Sequence, residues 1–217
     1  MKFSVTQYGK PLSKDKYTWD EETRTFSTNE NNLVLDFFGI EEVNFNTGAD
    51  CTFNTSSYCT FSTGSYCTFN TDSYCTFKTG FRCIFDTGSG CTFDTGSGCT
   101  FKTGSRCTFK TGSKCTFKTG SRCTFDTDYN CTFKTGSGCT FGIGHNCTFN
   151  TGSGCVIVRR DVFEIIQVPE NTTIKLNDYQ VKGYEIIKDT KTITIDGKEI
   201  EISIESFESL KEQLLEN

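Results

Sequence analysis

Cysteine is the residue type whose number and spacing could support the most chemistry in this chain. The sequence contains 14 Cys, and all of them fall on one series with a step of eight residues that runs from Cys51 to Cys155. Thiols in such a series could form disulfides, bind a metal or fill an apolar core. A core role is favoured, because side chains stacked in register have the wrong dihedral angle for most disulfides and a ladder of thiols does not converge on one ion.

The other polar residues do not form a catalytic pattern. His145 is the one histidine, and its surroundings, Phe141-Gly-Ile-Gly-His-Asn, indicate a surface turn rather than part of a Cys–His or Ser–His–Asp arrangement. Gly142 and Gly144 are not followed by the lysine of a phosphate-binding loop. The sequence therefore predicts a protein that is not an enzyme, with no catalytic residue, cofactor, metal site or small-molecule substrate.

Basic residues are concentrated in the middle of the chain. The net charge of the chain is −5, yet residues 51–154 hold nine basic and five acidic residues, a net charge of +4. Six basic residues with no acidic residue between them define a basic belt, which could bind a nucleic-acid backbone or an acidic partner. The alternative is that they keep an exposed sheet soluble. The basic belt comprises Lys102, Arg106, Lys110, Lys114, Lys118 and Arg122.

Three tyrosines at equivalent positions of consecutive repeats form a second candidate surface. Tyr58, Tyr66 and Tyr74 follow the same eight-residue step as the cysteines. Their rings could stack on bases or form an aromatic interface with a protein partner. We expect them to lie several rungs away from the basic belt.

The elements that position these residues come from an octapeptide repeat, C-T-F-x-T-G-S-x. A Phe follows each Cys by two residues without interruption from Phe53 to Phe149. In a strand the first, third and fifth positions share one face, and charged residues such as Lys78 and Asp86 at the fourth position place the other face in water. Gly-Ser-x then forms a turn, where Gly supplies backbone freedom. Stacking such units predicts an all-β fold, a parallel β-solenoid with Cys and Phe inside.

The number of repeats in one coil has two possible values. Two repeats give coils of sixteen residues, and three give coils of twenty-four. With two, Lys78, Asp94 and Lys110 become neighbours of alternating sign on one sheet, which is favourable, whereas the other sheet stacks Lys102, Lys118 and Lys134. Three repeats per coil also give a mixture of signs. We prefer two repeats per coil, which predicts about eight rungs and a rod of about 40 Å.

The register of the core is predicted to continue beyond the cysteines at both ends. The apolar pairs Leu35/Phe37 and Val43/Phe45 precede Cys51 at steps of eight, and Phe163/Ile165 follow Cys155. These pairs set the predicted division of the chain: an N-terminal arm or cap that covers the first rung, the solenoid, and a C-terminal cap. The three parts are residues 1–34, 35–165 and 166–217.

The C-terminal cap is predicted to be a small α+β unit. Alternating isoleucines flank Asp196-Gly197, a strong signal for a β-hairpin with a two-residue turn. The last segment places its apolar residues on one face of a helix. A cap that covers the last rung is the simpler interpretation, and a separate functional domain is the alternative. The apolar residues of the helix are Phe207, Leu210, Leu214 and Leu215.

The C-T-F-x-T-G-S-x units and the exit segment from Val156 to Phe163 resemble the octapeptide-repeat proteins of large DNA viruses and bacteriophages. The resemblance covers roughly residues 35–163 and implies a solenoid and a viral setting, but no site residues. Pentapeptide-repeat proteins suggest a DNA-mimic role by analogy, although such mimics are acidic along the rod. Insect antifreeze repeats also pair Cys with Thr, but they present both threonines outward.

The functional expectation is a non-catalytic viral or phage solenoid that serves as a structural or protein-interaction element and self-associates end to end or side by side. A nucleic-acid-binding accessory protein using the basic belt is the alternative. The first residues do not form a secretory signal, and no apolar run is long enough for a membrane span. We therefore expect the host cytoplasm or the virion, with reduced thiols; a secreted, disulfide-rich protein is the competing interpretation of the Cys content.

Overall fold

The computed structural model describes residues 3–169, 172–187, 190–195, 198–203, 207 and 211. The chain divides into two compact units, Met1–Glu185 and Ile186–Asn217. Among the described residues, no helix is long and apolar enough to cross a membrane. A short 3-10 helix covers Lys14–Lys16, and the strands are numbered in chain order. They are β1 Ser4–Gln7, β2 Lys10–Pro11, β3 Thr18–Asp20, β4 Thr25–Ser27, β5 Leu33–Phe37, β6 Asn44–Asn46, β7 Thr52–Thr55, β8 Thr60–Ser62, β9 Thr68–Asn70, β10 Thr76–Thr79, β11 Ile84–Thr87, β12 Thr92–Thr95, β13 Thr100–Thr103, β14 Thr108–Thr111, β15 Thr116–Lys118, β16 Thr124–Asp126, β17 Thr132–Thr135, β18 Thr140–Ile143, β19 Thr148–Thr151, β20 Val156–Arg159, β21 Glu164–Gln167, β22 Thr173–Leu176, β23 Tyr184–Ile187, β24 Thr190–Ile195 and β25 Lys198–Ser203.

The first unit is a parallel β-solenoid with two repeats in each coil. The odd-numbered strands from β5 to β19 stack in parallel in one sheet, sheet A, and the even-numbered strands from β4 to β20 stack in parallel in the other, sheet B. Within the repeats, partners are sixteen residues apart, as in Phe93↔Phe109 and Phe101↔Phe117. The predicted solenoid and its preferred coil of sixteen residues are confirmed.

Cys and Phe fill the space between the two sheets. Every Cys of the series and every Phe two residues after it is at most 1% exposed. Each ring stacks in parallel on its equivalent one coil away, as for Phe93 and Phe109 with centroids 4.8 Å apart and planes within 2°. It also meets the ring of the neighbouring repeat edge to face, as for Phe101 and Phe109 at 5.2 Å and 77°. Both geometries are favourable for aromatic pairs, so the repeat builds one continuous ladder.

The turns assign glycine a different role from the predicted one. The left-handed residue is the eighth of the repeat, before Cys, with φ of 60° at Arg106 and 57° at Asn130. The sixth-position glycines do not have positive φ. A Cβ on Gly104 would instead lie 2.8 Å from the backbone nitrogen of Ser89 in the preceding coil. Glycine is therefore needed there because successive coils approach closely.

The parallel strands of the solenoid begin before the first octapeptide repeat. The first parallel strand of sheet A also has a different register from the repeats. Val43 and Phe45 are buried, and Phe45 pairs with Phe61 at the predicted sixteen residues. Leu35, however, pairs with Phe53, eighteen residues away, so the predicted register of Leu35/Phe37 is wrong by two residues. The two extra residues lie in the connection between β5 and β6. The parallel stack also includes β4, which pairs with β6.

The first rung is covered by aromatic residues and antiparallel strands. Phe3 stacks on Phe37 with centroids 4.3 Å apart, and Tyr17 stacks on Phe26 at 5.1 Å. Trp19 also packs against this end of the core. β1 pairs antiparallel with β5 and β3 with β4, so the parallel stacking ends here. Sheet A then finishes at β2, which is only Lys10–Pro11.

The C-terminal end of the solenoid also departs from the repeat. Ile157 occupies the Phe position and is fully buried, whereas Phe163 and Ile165 are 93% and 73% exposed, so their predicted place in the core is wrong. The chain reverses after Arg159 and returns as β21, antiparallel to β20, with Val158 opposite Ile165. Because the return is antiparallel, the eight-residue step no longer sets which side chains face inward.

Arg159 closes this end of the core. It occupies the fifth repeat position, opposite Ile143, and is fully buried. Its guanidinium donates to Asp161 at 2.7 Å and to the carbonyl oxygens of Val181 and Gly183 at 2.6 and 3.3 Å. Burial opposes ionisation of Asp161, but the hydrogen bonds and charge of Arg159 outweigh it and lower the pKa of that carboxyl. The ion pair of Arg159 with Asp161 thus covers the last rung of the core.

The second unit contains the predicted hairpin strands. β24 and β25 pair antiparallel, with Ile193 opposite Ile200 and Ile195 opposite Lys198. The turn residues Asp196 and Gly197 lie outside the described residues. The predicted helix also falls largely outside them, since Leu210, Leu214 and Leu215 are not described; Phe207 and Lys211 are, both in helical conformation.

Candidate functional site

The solenoid distributes the basic belt over four sides. Lys102 and Lys118 lie in β13 and β15 of sheet A, whereas Lys110 lies in β14 of sheet B. Arg106 and Arg122 lie in turns that lead from sheet A to sheet B, the A-to-B turns, and Lys114 lies in a B-to-A turn at the opposite edge. The six residues therefore do not share a surface, because residues close in sequence follow the coil around the rod.

Residues sixteen apart form a smaller basic surface. Lys118 pairs with both Lys102 and Lys134 across parallel strands of sheet A. Each of the first two lysine strands runs into a turn that carries an arginine. We call these five exposed residues the basic face: Lys102, Arg106, Lys118, Arg122 and Lys134.

Charge on the basic face is largely uncompensated. Lys102 forms an ion pair with Asp86 at 2.7 Å. Within the described part of the chain, the other four members have no carboxylate oxygen within 4.0 Å. Adjacent like charges on a sheet repel one another, so the face accumulates positive charge at the expense of some stability.

Sheet B provides a contrast within the same repeat. There, Lys110 lies between Asp94 and Asp126 in the register of the parallel strands, so each charge has neighbours of opposite sign. The predicted alternation on this sheet is confirmed. The two sheets have the same backbone and core, and differ in how the charges are arranged.

A groove runs along the A-to-B turns beside the basic face. Its volume is about 600 Å³. The side chains of Arg106 and Arg122 line one part of it, and Gly138 leaves the next rung without a side chain. We call this the serine–arginine groove, lined by Ser105, Arg106, Ser121, Arg122, Ser137, Gly138 and Ser153.

The serines of the groove form a ladder of hydrogen bonds between coils. The Oγ of Ser105 accepts the backbone N–H of Ser121 at 3.0 Å, and the Oγ of Ser121 accepts that of Ser137 at 3.0 Å. Each hydroxyl is thereby held in place as an acceptor. Its own proton remains available for donation to a group in the groove.

The three candidate tyrosines do not form one surface. Tyr58 and Tyr74 lie in A-to-B turns and stack on each other, with centroids 5.3 Å apart. A Cβ on Gly90 would lie 2.8 Å from the ring of Tyr74, so this ring covers the next rung. Tyr66 lies at the opposite edge, where the guanidinium carbon of Arg82 sits 5.8 Å from its ring centroid. Tyr58 thus covers one face of Tyr74 and the other face packs over Gly90, which leaves less ring surface for stacking on bases.

The thiols are buried and form no disulfides. Sulfurs in successive coils lie close to the neighbouring backbone, as where Cys91 Sγ accepts from Cys75 N at 3.4 Å. Hydrogen bonds with the neighbouring thiols and burial raise the pKa of Cys67 and Cys99. The same bonds between thiols lower the pKa of their partner Cys83 against the effect of burial. Raised and lowered pKa values therefore alternate along this stack, since the pKa of Cys115, beyond Cys99, is again lowered by bonds to its neighbouring thiols.

His145 lies in a B-to-A turn and is half-buried. Its ring stacks on Tyr129 with centroids 5.2 Å apart and meets Tyr179 edge to face at 5.3 Å. The predicted turn location is correct, and the ring is part of an aromatic cluster at that edge.

The comparisons with known proteins add no relative. No family model, no curated protein and no solved structure matches the chain. The resemblance to viral and phage octapeptide repeats therefore stays a prediction.

Proposed function

We propose that the chain is a non-catalytic structural protein, in a viral or phage setting, whose solenoid works through protein contacts along its sides. The observation that carries this proposal is the uninterrupted ladder of buried side chains, mostly Phe and Cys, from Phe26 to Ile157 between two ends closed by antiparallel strands. A ladder of this kind is rigid because every coil is packed on two neighbours. The closed ends favour side-by-side contacts over end-to-end growth.

One side wall offers an apolar contact surface near the C-terminal end. Val158 and Ile165 pair across β20 and β21 with side chains outward, 39% and 73% exposed. Phe163 is 93% exposed in the adjoining turn. Exposed apolar residues grouped in this way are typical of protein contacts.

Sedimentation velocity over a wide range of protein concentration tests this proposal. We expect a discrete small oligomer that Ile165→Lys converts to monomer, with the circular dichroism spectrum unchanged. The control is Ile84→Lys, which changes an exposed isoleucine of sheet A and should leave the oligomer intact. Open-ended growth, or a strict monomer at all concentrations, would contradict the self-association part of the proposal.

A second candidate function is nucleic-acid binding, and the column Lys102, Lys118 and Lys134 favours it. Stacked lysines beside arginines repel one another, whereas the negative charge of a phosphate backbone attracts all of them. Anisotropy of a labelled oligonucleotide at low and moderate salt provides the test. Binding that weakens with salt supports this candidate, and no binding at low salt removes it.

A further inference from the structure

The basic face has a charge arrangement that the fold does not require. The same repeat places alternating signs on sheet B, where Lys110 lies between two aspartates. On sheet A, by contrast, Lys118 lies between two lysines. Since repulsion within this column costs stability, an anion held on the basic face would relieve it.

We propose that the basic face binds the phosphate backbone of double-stranded nucleic acid, with phosphates seated in the serine–arginine groove. This inference rests on the second candidate function and specifies its site and its ligand. Arg106 and Arg122 supply planar donors suited to phosphate oxygens, Ser105 and Ser121 supply hydroxyl protons, and the lysines of sheet A add charge.

The dimensions of the basic face suit a few phosphates of one strand. Lys102, Lys118 and Lys134 span two coil steps, which is about 10 Å at the usual strand spacing. One strand of a duplex places a phosphate about every 3.4 Å along its axis. The face therefore spans about three phosphate steps, or about four phosphates, along the rod, and the arginines reach the same backbone from the edge.

The aromatic residues argue for a duplex rather than a single strand. Proteins that bind single strands commonly combine a basic groove with exposed aromatic faces on which bases stack. Here the tyrosines nearest the groove in the same line of turns, Tyr58 and Tyr74, stack on each other, and Tyr74 also covers Gly90. Contacts limited to phosphates give binding that is independent of base sequence.

The test is fluorescence anisotropy of the full chain with a labelled duplex of mixed sequence, titrated at several salt concentrations. Among the residues that the structure describes, four members of the basic face have no carboxylate oxygen within 4.0 Å, so we expect log Kobs against log salt to have a slope of about −3.6. Lys118→Glu/Lys134→Glu should weaken binding at 0.1 M salt by roughly sixtyfold, since each phosphate contact contributes about 0.9 log units there. Arg106→Gln/Arg122→Gln should weaken it to a similar degree.

The matched control is Lys110→Glu/Lys114→Glu, which makes the same change in net charge on sheet B and the opposite edge. It should weaken binding by less than about threefold, with all variants checked by circular dichroism. A single strand of the same sequence should bind more weakly than the duplex, and Tyr74→Ala should leave duplex binding unchanged. Excess sulfated polysaccharide provides the arm that tests another polyanion.

The outcomes separate the two claims. If the natural chain binds no nucleic acid at low salt, the second candidate function is wrong and the inference fails with it. If it binds but the control pair weakens binding as much as Lys118→Glu/Lys134→Glu does, nucleic-acid binding stands and the assignment to the basic face is wrong. A preference for the single strand that is lost with Tyr74→Ala, or tighter binding of the sulfated polymer than of the duplex, would overturn the choice of ligand.

Discussion

The sixth residue of most repeats is a glycine whose Cα faces the serine of the preceding coil. A Cβ on Gly104 would lie 2.8 Å from the nitrogen and 2.9 Å from the Cα of Ser89. Both are backbone atoms, so a rotamer change cannot relieve the contact. The eighth residue differs, because its backbone is left-handed and the turn leaves room for side chains as large as those of Arg106 and Tyr74, which are exposed.

Gly104→Ala should therefore destabilise the solenoid by about 2 kcal/mol, since the coils must move apart. Gly98→Asn is the matched control: Gly98 has φ of +70°, and a Cβ there meets only Arg82 Cγ, at 3.4 Å. Asparagine already occupies this position at Asn130 with φ of 57°. The control should change stability by less than about 1 kcal/mol. Urea denaturation followed by circular dichroism measures both, and equal losses would contradict the close-approach explanation.

Arg159 and Asp161 provide a second residue-scale prediction. Removing the carboxylate charge with Asp161→Asn leaves a buried guanidinium whose other carboxylate, Glu164, is 3.9 Å away. We expect a loss of about 3 kcal/mol or more in unfolding free energy. Arg159→Leu/Asp161→Asn, which removes both charges of the pair and places an apolar side chain opposite Ile143, should cost less. A smaller loss for Asp161→Asn than for the double variant would contradict the role of the ion pair.

The lowered pKa of Asp161 fixes the sign of its pH dependence. Its carboxyl holds protons less readily in the folded chain than in the unfolded chain. Its contribution to stability is therefore fully present above the unfolded value, about 3.9, and is lost as pH falls through the folded value. Denaturation of the natural chain and of Asp161→Asn should give a difference in stability that is constant near neutral pH and shrinks below about pH 4. A difference that grows on acidification would contradict this sign.

At the scale of the element, the edge of sheet A at the N-terminal end is blunted. β2 consists of Lys10 and Pro11 alone. Proline lacks the N–H that a further strand would need, and lysine brings charge to the edge. These features are typical of edges that avoid pairing with another chain.

Lys10→Thr/Pro11→Val should therefore promote end-to-end association. The double variant restores a donor and removes a charge at the edge while leaving the core unchanged. Negative-stain electron microscopy and sedimentation velocity should show longer rods than for the natural chain. Lys14→Thr, in the 3-10 helix, is a control with one positive charge removed. Rods of unchanged length would show that the edge does not limit growth.

The sequence predicts elements well wherever the eight-residue step holds. The alternation in C-T-F-x-T predicts which face of every repeat strand is buried. Cys and Phe must face the core and the charged residues must face water, so only one orientation of the strand fits. It fails where residues are inserted or the chain reverses. Two extra residues before Val43 shift Leu35 onto Phe53, and the antiparallel return after Arg159 exposes Phe163 and Ile165. Neither the insertion nor the chain reversal can be recognised from the eight-residue spacing.

The candidate site shows the same limit. The basic belt was defined by neighbours in sequence, whereas side chains on a solenoid meet neighbours one coil away. Lys134 belongs to the basic face for this reason, and Lys110 and Lys114 do not. The serine ladder could have been found by aligning residues at steps of sixteen, since Ser73, Ser89, Ser105, Ser121, Ser137 and Ser153 fall on one line.

In the chain as a whole, the interior of the solenoid determines where every proposed surface lies. The stacked rings and thiols determine the positions of both sheets. The positions of the basic face, the serine–arginine groove and the closed ends follow from those of the sheets. If this interior is as tightly packed as the structure describes, reagents reach the sulfurs only when coils open. The reactivity of the cysteines therefore reports on the one feature that all of the proposals share.

The most direct test is alkylation of the undenatured chain with iodoacetamide, followed by intact mass spectrometry over time. All 14 cysteines are free and buried, so we predict an essentially unmodified mass under native conditions and modification of all of them at once in denaturant. Rapid modification of most of the sulfurs in the undenatured chain would contradict the buried ladder, and the proposals built on it would fail with it.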